Sequence, residues 1–136
     1  MKIGVVIVSH YRLGEEMLQA TRLIVPDAPP FRAVGIEPKM RVDEMRAAIG
    51  AALDAVDQGQ GVLVLTDMFG GTPSNVSLSF LGERRVSVVT GVNLPMLIKL
   101  ATLREEKPLE ELASFLKQYG QRNISVASEI LPDERG

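Results

Sequence analysis

Short, mostly apolar runs alternate along this chain with stretches of helical periodicity, and that alternation admits few architectures. The runs are Ile3 to Val8, Ala33 to Ile36, Val62 to Leu65 and Val86 to Val89. Each is long enough for a strand and too short for a helix. The run Val62 to Leu65 is apolar at every position, as expected of a strand covered on both faces. Between the runs, Leu13, Met17, Ala20, Thr21 and Ile24 recur at helical spacing, and so do Met45, Ile49, Ala52, Leu53 and Val56. Strand, helix, strand in succession is the pattern of βαβ units around a parallel sheet.

Turn chemistry marks the boundaries. Pro26, Pro29 and Pro30 stop the first helix. Asp43 is expected to cap the second, and Gly59 to close it. Thr72 is expected to cap a helix beginning at Pro73, with Gly82 at its end. Asn93 is placed to cap another, with Pro95 in its first turn. Pro108 opens the last helix, in which Leu109, Leu112, Leu116 and Tyr119 face inward and Gly120 is read as the stop. Ile124 to Ile130 alternates apolar and polar residues, the pattern of an additional C-terminal edge strand. The reading is an α/β domain over residues 1–131, an open and mainly parallel sheet flanked by helices, with a frayed tail at 132–136.

Composition narrows the chemistry. Hydrophobic residues make up 46% of the chain, enough for one core, and aromatics only 4%, so aliphatic packing must fill it. The 15 basic and 17 acidic residues form no basic run, which excludes a nucleic-acid footprint. There is no cysteine, so disulfides, thiolate metal sites and thiol nucleophiles are excluded together. No metal or organic cofactor is implied. The apolar start is too short to span a bilayer, and the chain reads as soluble and cytoplasmic.

An open α/β sheet binds its ligand outside the carboxyl ends of its strands, at the topological switch point. Three loops leave such ends: Ser9-His10-Tyr11, Thr66 to Asn75, and Thr90 to Pro95. His10 is the only histidine and stands just past the first strand. Imidazole nitrogen is nucleophilic near neutral pH and can form a phosphoramidate, and His10 is the best nucleophile in a chain without cysteine. Asp67 follows the third strand. If the first and third strands are neighbours, its carboxylate faces His10, fixes the tautomer and leaves the other ring nitrogen free to attack.

Gly70 and Gly71 let the backbone approach a ligand closely and are expected to take positive φ, the following helix directs free N–H groups to the same place, and Thr72 adds a hydroxyl donor. Together they suit a dianionic phosphoryl group. Neither the lysine and spacing of a nucleotide P-loop nor a dinucleotide fingerprint is present, so the loop fits a small anionic group. Arg12, two residues past His10, and Phe69 stand on the rim where a partner would dock. Asn93 reads first as a helix cap that also shapes that rim.

These residues resemble a known family. Ser9-His10, then Thr66-Asp67-Met68-Phe69-Gly70-Gly71-Thr72-Pro73-Ser74-Asn75, then Gly91-Val92-Asn93-Leu94-Pro95-Met96-Leu97, in this order, are similar to the IIA component of the mannose-type sugar phosphotransferase system (PTS). The resemblance runs over nearly the whole chain. It implies a four-stranded parallel sheet in the order 2-1-3-4, phosphorylation of His10, partnering by Asp67, and a hydroxyl contact to the phosphoryl group from Thr72. It further implies phosphate receipt from the small carrier HPr, delivery to a separate IIB protein, membrane IIC/IID proteins as indirect partners only, and a homodimer that can exchange the segment Ile124 to Ile130. An alternative of the same chemistry is a regulatory phosphoacceptor, or a carrier serving dihydroxyacetone phosphorylation, in which no sugar moves. Many relatives have glycine directly after the histidine, where this chain has Tyr11. Tyrosine there is strained if φ is positive. If φ is ordinary, its ring covers part of the docking surface.

Overall fold

A computed structural model of the chain describes residues 2–131. Among these residues four strands form one parallel sheet in the order β2-β1-β3-β4. The strands are β1 (Gly4–His10), β2 (Arg32–Ile36), β3 (Val62–Thr66) and β4 (Val86–Thr90). The helices are α1 (Leu13–Ile24), α2 (Val42–Val56), α3 (Thr72–Leu78), α4 (Leu94–Thr102), α5 (Leu109–Arg122) and α6 (Ala127–Ile130). The expected tail at 132–136 lies outside the described residues.

Side chains alternate across a strand, so the apolar runs feed two cores at once. Val5, Ile7, Leu63 and Leu65 pack with Leu18, Leu97, Leu100, Leu112 and Leu116 of α1, α4 and α5. Val6, Val8, Val62 and Val64 pack on the other face with Met45, Ile49 and Leu53 of α2 and with Val76 of α3. The chain passes from β1 to β2 on one side and returns to β3 on the other, so the switch point lies between β1 and β3. Val8 pairs in register with Thr66, which sets the ends of β1 and β3 side by side.

Several local expectations are corrected. Ile124 to Ile130 forms no strand: Ala127–Ile130 is a short helix, with the Leu131 N–H donating to the Ala127 carbonyl. A strand satisfies its backbone only through a neighbour, and where none is paired the segment closes local bonds instead. Helix α2 begins two residues before expected, with Arg41 as its cap residue. The Glu44 carboxylate takes the Arg41 N–H, while Asp43 accepts the neighbouring Glu44 N–H from inside the first turn. Thr72 is the first residue of α3, and Gly71 is its cap. Helix α3 ends at Leu78, before Gly82. Gly120 sits inside α5 instead of ending it, and its bare backbone makes room for Met96 of α4, whose Sδ would lie 2.6 Å from a Cβ there.

Candidate active site

His10 is the last residue of β1 and pairs with Ile36 of β2. Behind it the buried Ser9 Oγ accepts the Gly14 N–H at 2.8 Å, satisfying a first-turn amide of α1 that Arg12, the cap residue, leaves open. The chain therefore turns sharply between strand and helix, and the imidazole stands at the rim. Tyr11 makes this turn with φ +52°, so the strained alternative holds.

Asp67 lies one residue past β3, and the register of β1 with β3 carries it to His10. Its Oδ2 accepts the His10 backbone N–H at 2.9 Å and meets the ring Nδ1 at 2.9 Å. Its Oδ1 accepts the Met68 N–H at 3.0 Å. The Asp67 side chain is 10% exposed and that of His10 49%. Burial pushes the Asp67 carboxyl up, but the hydrogen bonds from the His10 amide and imidazole, with the attraction of that ring in its protonated form, outweigh it and leave the group below its ordinary value. An ionised carboxylate only accepts, so in the neutral ring Nδ1 carries the proton and Nε2 keeps its lone pair.

Gly71 explains where that lone pair sits. A Cβ at Gly71 would lie 2.7 Å from His10 Cε1 and 3.2 Å from Nε2, so the imidazole lies flush against the backbone that starts α3. Sequence reasoning gave this glycine to the ligand, whereas its bare backbone first accommodates the histidine. Gly70 takes the expected positive φ, +86°, and makes the preceding turn, whereas Gly71 is extended at φ −87° as the cap residue of α3. The first amides of α3, at Thr72 and Ser74, have no partner within the helix by its geometry. The exposed Thr72 shares a cavity with His10.

The remaining rim residues divide. Phe69 is 73% exposed and Met68 more than half exposed, an apolar edge beside the imidazole. Arg12 is exposed and pairs with Glu16 one helical turn on, at 3.3 Å. The amide of Asn93 is committed to the scaffold: Oδ1 accepts the Met96 N–H and Nδ2 donates to the Gly120 carbonyl. A larger cavity, about 470 Å³, opens at the amino ends of the strands between Lys2, Arg85 and Lys107, remote from His10. Sequence reasoning missed the Ser9 cap and the packing of Gly71 on His10. The bare Gly14 two residues into a helix that lacks its own cap was the available signal for the first.

Fold and site together define a small α/β protein built around an aspartate-oriented histidine at the switch point of a parallel sheet. The family model described as the PTS system fructose IIA component matches residues 4–117, and the chain belongs to that family. It is 32% identical over 95% of its length, and 89% of the relative's, to the PTS system fructose-specific EIIA component of Bacillus subtilis. It is 25% identical to the PTS system mannose-specific EIIAB component of Escherichia coli K12 over 93% of this chain, which spans 40% of that longer protein. Among solved structures, the mannose/sorbose specific IIA subunit of the phosphotransferase system from Enterococcus faecalis superposes with TM-score 0.87 at 33% identity, covering 98% of both chains.

Proposed function

We propose that the chain is a cytoplasmic phosphocarrier that receives a phosphoryl group from phospho-HPr on His10 Nε2 and passes it to a separate IIB protein. The observation that carries this reading is the double engagement of Asp67 Oδ2 by the amide and the imidazole of His10. As the Nε2 lone pair forms a bond to phosphorus, the donor's N–P bond breaks and its electron pair returns to the donor imidazole. His10 keeps its Nδ1 proton, so its ring gains positive charge, which the Asp67 carboxylate balances. The Gly70-Gly71 turn, the amides at the start of α3 and the Thr72 hydroxyl would receive the phosphoryl oxygens. Delivery to IIB is the same step reversed. Tyr11, Arg12 and Phe69 would lie under the docked partner.

A single IIA domain over residues 1–131 fits the continuity of both cores. A homodimer is supported by the outer edge of β4, which has no neighbouring strand among the described residues, and by the exposed apolar residues Ile124, Val126 and Ile130. A strand edge of this kind is a template for pairing. No helix among the described residues is long and apolar enough to cross a membrane. The test is incubation with phospho-HPr and mapping of acid-labile phosphate. The expected label sits on His10 and is lost in His10→Ala; transfer that survives this change refutes the proposal.

A further inference from the structure

Tyr11 is the only non-glycine residue with positive φ among the described residues. A side chain there crowds its own backbone, and the fold imposes the conformation from both sides. The Tyr11 N–H donates to the Ile36 carbonyl at 2.9 Å, and its carbonyl oxygen occupies the space that a Cβ at Gly35 would need. Glycine or asparagine would take the same backbone with less strain. Strain kept next to a reactive group raises the question of what the side chain does. Tyr11 is 60% exposed and, with Ile36, Pro38 and Met45, lines a mainly apolar cavity of about 220 Å³ that also touches His10. Glu37 lines the same cavity, is exposed, and forms no ion pair among the described residues.

The phosphocarrier reading obliges a partner to bring its own phosphohistidine to His10, and a partner so placed covers a cavity whose wall includes His10. Resting on that reading, we infer that Tyr11 is a specificity-determining residue for the phosphodonor. The socket it forms with Ile36, Pro38 and Met45 receives one apolar side chain of the donor protein, and Glu37 faces a lysine or arginine beside it. The ring thus offsets its backbone strain with partner contact that glycine would not supply.

The test uses two donors, phospho-HPr from the genome that encodes the chain and phosphoramidate, which needs no docking surface. Tyr11→Asn keeps a residue that tolerates the backbone and removes the ring, whereas Tyr11→Phe keeps the ring. The readout is kcat/KM with phospho-HPr divided by the phosphoramidate rate constant. Loss of an aromatic contact that the docked donor would bury predicts a fall of about tenfold or more for Tyr11→Asn, expressed in KM, with the ratio retained in Tyr11→Phe. Glu37→Lys raises KM more than Glu37→Gln does. The melting temperature of Tyr11→Asn equals or exceeds that of the unaltered chain, which separates docking from folding. A Tyr11→Asn ratio equal to that of the unaltered chain overturns the inference. Failure of phospho-HPr to load the unaltered chain refutes the phosphocarrier reading instead.

Discussion

Replacing Asp67 by asparagine isolates the electrostatic part of the site from its shape. The two side chains are nearly isosteric, so the loop after β3 should keep its path. What changes is the acceptor of two hydrogen bonds, both 2.9 Å, from the amide and the imidazole of His10. Bonds to an ionised group contribute about 1.5–3 kcal/mol each, roughly twice their neutral counterparts. Losing half of two such bonds costs about 1.5–3 kcal/mol, and more of it falls on the phosphorylated ring, which carries the new positive charge. The asparagine amide also cannot satisfy both sides. With its oxygen toward His10, its NH2 opposes the Met68 N–H that Asp67 Oδ1 now accepts. With its NH2 toward His10, it faces the His10 amide and stabilises the tautomer that protonates Nε2. About 2.7 kcal/mol corresponds to a hundredfold, so phosphoryl transfer should slow on the order of a hundredfold. Rapid-quench measurement of label transfer from phospho-HPr gives the rate, and urea unfolding of the same sample reports the fold. A transfer rate equal to that of the parent chain, in a folded variant, would show that Asp67 only caps the loop and would refute the reasoning.

Acid should weaken the fold through the same carboxylate. Its folded pKa lies below the ordinary value of 3.8, so the stabilisation is present above that value and is lost as pH falls through the folded pKa. Urea midpoints measured on both sides of pH 3.8 should decline toward acid more steeply in the parent than in Asp67→Asn, and parallel curves would contradict this. Gly71→Ala should leave the urea midpoint near that of the parent, because φ −87° suits alanine, yet slow transfer at least about tenfold by displacing the imidazole. Asn93→Ala should act the other way. It should cost about 1 kcal/mol or somewhat more through the lost cap and the stranded Gly120 carbonyl, with little change in KM for phospho-HPr, and a large KM effect would return Asn93 to the docking rim.

How far the chain could be read varied with the range of the interaction. The apolar runs became β1 to β4 and the periodic stretches became α1, α2, α4 and α5, because burial periodicity is a local property of sequence. Helix ends were read less well. Asp43 and Thr72 looked like caps, but Arg41 and Gly71 hold those positions. Cap residues are chosen by backbone direction, which the incoming chain sets. Ile124 to Ile130 has strand-like alternation, yet alternation alone supplies no pairing partner, and Ala127–Ile130 is helical.

The order of residues alone determined that this would be a parallel α/β domain with its chemistry at the strands' carboxyl ends, and it singled out His10 and Asp67 there. Only the tertiary structure decided that Val8 and Thr66 sit in register, so that the two side chains meet at 2.9 Å. It also decided that Gly71 makes room for the imidazole, that Tyr11 adopts a glycine-like backbone, and that Glu37 and Met45 join Tyr11 around one cavity. These are contacts between segments distant in the chain. Their geometry follows from how strands pair and layers pack, and no local pattern encodes it.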